Sequence, residues 1–140
     1  MIVAKRPAPL DPAAIAAVRR SFDEADMFPP RVFHDQAIFD WESQEIFRHE
    51  WRCVGREEET PNVGSYRLLE FAGEQVIISR GEDNKLHAFI NACRHRGATL
   101  IEGPADGKPD CGEAKKIVCP YHAWVYGPDG KLLKAKHTED

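Results

Sequence analysis

No stretch of this sequence approaches the roughly 20 consecutive apolar residues of a membrane-spanning helix, so no helical membrane anchor is expected. Neither sign of charge dominates. The 19 Lys and Arg stand against 23 Asp and Glu, for a net charge of -4, and that balance argues against a nucleic-acid-binding or membrane-surface protein. The N-terminal stretch MIVAKRPAPLDPAAIAAVRR lacks the continuous apolar core of an export signal, since Pro7, Pro9, Pro12 and its charges break it. A cytoplasmic setting is therefore expected. Cysteine is scarce, with four in 140 residues, and where thiols stay reduced such cysteines more often hold metal than form disulfides. There is no internal repeat or low-complexity segment. The length suits one domain with a short extension and leaves no room for a second, catalytic domain.

What is present divides near residue 50. Over LDPAAIAAVRRSFDEAD, Asp11 is a candidate N-cap, Pro12 suits the first helical position, and Ile15, Val18 and Phe22 fall at helical spacing. After MFPPRVF, the run DQAIFDWESQEIFRHEW offers Asp35 as a cap and Phe39, Ile46 and Phe47 as an apolar stripe, predicting a second helix that ends near His49. From residue 51 the pattern changes to short β-type runs: WRCVGR, YRLLEF, EQVIISR, LHAFIN, KIVC, WVYG and KLLKA. Turn residues separate them, notably Ala72-Gly73, Glu82 to Asn84 and Pro128 to Gly130. The stretch IEGPADGKPDCGEAKK, rich in Gly, Pro and charge, reads as a surface loop. The expected organisation is an α-helical N-terminal extension over 1–50 followed by an all-β, antiparallel domain over 51–140.

Two loops carry the chemistry. CRHRG at 93–97 places Cys93 and His95 two apart, CPYH at 119–122 places Cys119 and His122 three apart, and 23 residues separate His95 from Cys119. Each loop supplies one thiolate and one imidazole. Zinc fingers usually group cysteines with cysteines and histidines with histidines. A Rieske-type 2Fe-2S cluster needs the mixed order, because two cysteines hold one iron and two histidines the other. A zinc site and a chance grouping are the competing readings. Cys53, in a strand-like run, reads as a small buried hydrophobe and Cys111 as a loop thiol, and neither has ligand spacing. His34, His49, His87 and His137 have no evident metal partner in the sequence and read as structural or solvated.

CRHRG and CPYH together resemble the Rieske iron-sulfur motif. The resemblance implies a Rieske-type antiparallel β-sandwich with two cluster-binding loops, in which Cys93, His95, Cys119 and His122 are the cofactor-binding and metal-ligating residues of one 2Fe-2S cluster. Neutral imidazoles in place of two thiolates leave such a cluster easier to reduce than an all-cysteine one, and the chemistry implied is one-electron transfer. Beside the ligands, Gly97 either lets the backbone approach the cluster or is an ordinary turn glycine. Pro120 either fixes its loop or is a generic turn proline, and Trp124 either shields the cluster or packs the core. Arg94 and Arg96 either attract an acidic electron donor or are solvated surface charge.

Respiratory Rieske domains resemble one another in having a disulfide between the loops and a serine bonded to a cluster sulfur. Ala98, Tyr121 and Trp124 stand at those positions here, and only Tyr126 keeps the polar residue of that pattern. The expected potential therefore lies toward the lower end of about -150 to +300 mV. From VFHDQAIFDW onward the chain is similar to the N-terminal part of the large subunit of Rieske non-heme iron oxygenases, the ring-hydroxylating and quaternary-amine-oxidising family. The loop between the ligand pairs is longer than the family's common form. That likeness implies an NAD(P)H-dependent reductase or ferredoxin as electron donor and an oxygenase catalytic domain as acceptor. It also implies a mononuclear non-heme iron in that domain or in a partner, and a trimer-type homo-oligomer if the full enzyme exists. The iron-binding catalytic domain itself is expected to be absent from these residues. The alternatives are a stand-alone Rieske-type ferredoxin and a non-redox metal-binding interaction module.

Overall fold

The computed structural model describes residues 6–103 and 110–136, and His137 lies outside them. The chain forms two compact units, Met1–Arg52 and Cys53–Asp140.

In the first unit, α1 (Pro12–Val18) starts where Asp11 Oδ1 accepts the Ala13 N–H at 2.9 Å. It stops a turn before Phe22, which is exposed instead of extending the stripe. Ser21 and the acidic residues after it favour turns over helix, and here the Glu24 N–H bonds Ser21 O and the Asp26 N–H bonds Ala17 O. α2 (Gln36–Glu42) is capped by Asp35, whose carboxyl is held below its usual pKa by the Ala37 N–H and then by Arg31. A wider π turn over Ser43–Phe47 continues it. The buried residue of α2 is Ile38, whereas Phe39 is exposed and Ile46 and Phe47 are half-buried, so the expected stripe is displaced. Glu45, buried on the π turn, accepts the Arg6 N–H at 3.0 Å and pairs with the Arg6 guanidinium, while Trp41 Nε1 donates to Arg6 O.

The second unit holds two antiparallel sheets. β1 (Ser65–Phe71), β2 (Glu74–Arg80), β3 (Leu86–Ile90) and β4 (Cys111–Glu113) form the first in the order β3-β2-β1-β4. β5 (Ile117–Val118), β6 (Val125–Tyr126) and β7 (Leu132–Lys134) form the second in the order β5-β6-β7. The β1–β2 hairpin turns on two residues, Ala72 at φ +48° and Gly73 at φ +80°, the pair of positive angles that matches strand twist. It pairs Phe71 with Glu74 and Leu68 with Ile77. At the β6–β7 turn, the Phe89 ring fills the place a Cβ on Gly130 would take, and Ser79 on β2 donates its hydroxyl to Pro128 O.

Two expectations fail here. WRCVGR forms no strand, since Gly55 at φ +137° breaks the extended run and Trp51, Cys53 and Val54 are exposed. Glu57–Glu59 then turns as a short 3-10 helix, held by Arg80, whose guanidinium reaches Thr60 O at 2.6 Å and Glu57 O at 3.1 Å. β4 lies inside the stretch expected to be loop, with Cys111 pairing in register with Arg67. Among the described residues no helix is long and apolar enough to cross a membrane.

Candidate metal centre

Both loops that carry the candidate ligands share one backbone frame. In the first, the Cys93 N–H donates to Ala98 O at 2.8 Å and the Gly97 N–H to Cys93 O at 2.8 Å. In the second, the Cys119 N–H donates to Trp124 O at 2.8 Å and the Ala123 N–H to Cys119 O at 3.0 Å. The offsets from each cysteine are the same. The residue four places on has left-handed backbone in both loops, Gly97 at φ +70° and Ala123 at φ +57°. Gly97 at that φ meets the conformational demand of the turn, and a Cβ there would meet no described protein atom within 4 Å. Ala123 holds the same conformation against the preference of an L-residue, which costs about 1 kcal/mol. Ala123→Gly should therefore raise stability by about 0.5–1 kcal/mol and Gly97→Ala lower it by about 1 kcal/mol. Urea unfolding of the cluster-loaded chain checks both.

This frame turns the thiols inward. Cys93 and Cys119 are 3% and 2% exposed and belong to the core with Leu68, Ile77, Leu100, Ile117 and Tyr126. Both thiols belong to the same buried cluster. Burial pushes the Cys93 thiol up, but the Tyr126 hydroxyl, the His95 N–H, Cys119 and the Arg96 N–H together hold it below its usual value. Tyr126 is pushed the other way, by burial and then by Cys93. Its hydroxyl accepts the Arg94 N–H at 3.0 Å and lies 3.2 Å from Cys93 Sγ, so its own proton is free to point at the sulfur. A donor to sulfur stabilises the reduced, more negative state of a cluster. Tyr126→Phe should lower the midpoint potential by roughly 30–60 mV, the equivalent of about 1 kcal/mol for one electron. A redox titration checks the shift, and an unchanged midpoint would exclude the bond to sulfur.

The imidazoles meet each other and are less buried than the thiols. The His95 and His122 rings lie 4.7 Å apart between centroids at 65°, with His95 exposed and His122 half-buried. Trp124 lies flat on His95, with centroids 4.8 Å apart and planes within 9°, and the Tyr121 ring approaches His122 at 3.9 Å. The buried Nε1–H of Trp124 has no hydrogen-bond acceptor among the described residues, leaving a spare donor beside the imidazoles. Trp124 thus covers one ligand candidate and also packs against the core.

Sequence reasoning missed Asn91, which follows β3 and is 4% exposed. Its Oδ1 accepts the Leu100 N–H at 3.1 Å and the Ile101 N–H at 2.9 Å, while its Nδ2 donates to Ile101 O at 2.7 Å and Gln75 Oε1 at 3.1 Å. One side chain therefore pins the exit of the first ligand loop back onto β2 and β3. Its sequence signal was a lone amide between FI and the first ligand, in a run where every neighbour reads as apolar strand or loop. The other expected site residues differ in fate. Cys53 is exposed rather than buried, Cys111 is an exposed strand residue, and His87 bonds Asp83 at 2.9 Å.

Among the described residues no three His, Cys, Asp or Glu side chains gather closely enough to hold a single metal ion. The donors come instead as a thiol pair and an imidazole pair, a set that fits a two-iron group with one iron for each pair. A β-sandwich with such loops belongs to the class of iron-sulfur proteins. The model of the Rieske [2Fe-2S] domain matches residues 50–140, and the chain belongs to that family.

Two of its curated relatives are oxygenase subunits of monooxygenases. The glycine betaine monooxygenase oxygenase subunit of Pseudomonas aeruginosa is 40% identical over 129 residues, covering 91% of this chain and 29% of the relative. The carnitine monooxygenase oxygenase subunit of Escherichia coli is 38% identical over 118 residues, covering 84% and 30%. Among solved structures, the quaternary ammonium Rieske monooxygenase CntA in complex with L-carnitine superposes with a TM-score of 0.70 at 33% identity, covering 96% of this chain and 34% of that one. Naphthalene 1,2-dioxygenase from Rhodococcus sp. gives a TM-score of 0.71 at 30% identity, covering 81% and 24%. The chain spans about a third or less of the length of each.

Proposed function

We propose that this chain is the electron-accepting unit of a Rieske non-heme iron oxygenase system, with Cys93 and Cys119 holding the inner iron and His95 and His122 the outer one. The observation that carries the reading is the sorting of the four donors, thiols buried in the core and imidazoles paired toward the surface. The cluster supplies reversible one-electron transfer when bound. The chain's own residues set the terms of that transfer. Tyr126 and the loop N–H groups place donors on Cys93. The exposed His95 keeps an imidazole edge within reach of a partner, with Trp124 stacked behind it to fix the ring plane.

The system served is one that oxidises quaternary ammonium compounds or aromatic rings, supported by the names and identities of the relatives. The oxygen-activating mononuclear iron of that system would be held outside the described residues, and electrons would originate from an NAD(P)H-dependent reductase or a ferredoxin, in a cytoplasmic setting and a trimer-type assembly. Residues 1–50 act as a helical extension and 51–140 as the cluster-binding domain. The test is a low-temperature electron paramagnetic resonance spectrum of the iron- and sulfide-loaded chain after dithionite reduction. A rhombic signal with average g below the free-electron value is the expected result. A folded chain that gives no such signal would overturn the assignment.

A further inference from the structure

The sequence places five arginines in the second unit: Arg56, Arg67, Arg80, Arg94 and Arg96. Three have an acidic partner, Arg56 with Glu58, Arg67 with Glu59 and Arg80 with Glu57. The remaining two, Arg94 and Arg96, make no side-chain ion pair or hydrogen bond among the described residues, and both are exposed. They sit on either side of His95, the exposed ligand candidate, in a chain whose net charge is -4. Arg94 also borders a cleft of about 550 Å³ whose other walls include Phe89, Ile90, Leu100 and Tyr126. Arg94 beside the cleft and Arg96 two residues on, neither with an acidic partner among the described residues, place two exposed cations next to the exposed His95 in a chain of net negative charge.

We infer that Arg94 and Arg96 form a docking surface for a soluble, acidic one-electron donor protein, and that they steer its approach to the His95 edge. The inference rests on the electron-transfer function proposed above and names the partner's surface chemistry. Association between such surfaces is accelerated by roughly 10- to 1,000-fold when charges are complementary, and the effect fades as salt shortens the screening length to about 3 Å at 1 M. A carboxylate-rich face would meet both guanidiniums in the bidentate geometry they favour.

The test uses the cluster-loaded chain and two reductants in stopped-flow: reduced plant-type ferredoxin as the acidic protein probe, and methyl viologen radical cation as a small positive one. Wild type should be reduced by ferredoxin at a rate that falls steeply with salt. Replacing both arginines, Arg94→Gln with Arg96→Gln, should slow the ferredoxin reaction about ten-fold at low salt and flatten its salt dependence. The same variant should react no more slowly with the viologen cation, which the arginines repel. Arg94→Lys with Arg96→Lys, which keeps the charge, should restore at least half of the ferredoxin rate. A ferredoxin rate indifferent to salt or to the double Gln change overturns the inference. So does equal slowing with both reductants, since that places the defect in the cluster and not in docking. A loaded chain without the Rieske spectrum fails the parent reading, and the docking role falls with it.

Discussion

Replacing Asn91 by leucine should cost the second unit about 3 kcal/mol or more and leave most of the chain without its cluster. The substitution keeps the branching at Cγ but strands the N–H groups of Leu100 and Ile101 and the Ile101 carbonyl, all served by the amide. Each buried group left unmet costs roughly 1–3 kcal/mol, and partial relaxation toward solvent brings the sum to the figure given. Against a domain stability of about 5–15 kcal/mol, that loss is large. The measurements are the denaturation midpoint and iron content per chain. An Asn91→Leu chain that retains full iron and its midpoint would show that the loop exit is held by something other than this amide. Asn91→Asp keeps the acceptor for both N–H groups but turns a carboxyl toward Ile101 O, so it should fall between wild type and leucine.

The second large effect is expected at His95. His95→Cys exchanges a neutral imidazole for a thiolate, adding one negative charge to the site and opposing the arrival of an electron. All-cysteine plant-type clusters lie near about -400 mV and Rieske clusters between about -150 and +300 mV, with two ligand changes between them. One change should therefore lower the midpoint by about 100 mV or more. A redox titration followed by electron paramagnetic resonance reads it directly. An unchanged midpoint would remove His95 from the ligand set. The exposure of His95 makes the experiment practicable, because the new side chain is accommodated at the surface and the core around Cys93 and Cys119 is left intact.

Much of this was legible in the sequence because the relevant forces are local. YRLLEF and EQVIISR are short β-type runs on either side of a two-residue turn at Ala72-Gly73, and they pair across it. The mixed Cys-His spacing was legible too, since metal chemistry restricts which residue types stand together. What escaped depended on distant partners. WRCVGR has the composition of a strand but finds no ladder, and CGE, in a stretch rich in Gly and Pro, becomes β4 because β1 offers it an edge. Arg80 was invisible as a buried residue, because its burial depends on carbonyls at positions 57, 60 and 84 that fold around it. Asn91 escaped for the same reason, since its four partners come from β2 and from the far side of the ligand loop. The helical extension shows the opposite error, a regular pattern read past the point where serine and acidic turns end α1.

Cys93 and Cys119 are members of the same buried cluster as Leu68 and Ile77, so under the ligation proposed above the atoms that would hold iron are also the filling of the domain. Whatever binds only the folded form stabilises it by mass action, and there the gain would be delivered in the core of the second unit. On that ligation, loading the cluster and holding the fold are one event. The expected outcome is a lower urea midpoint for the unloaded chain than for the loaded one, read by unfolding both forms side by side.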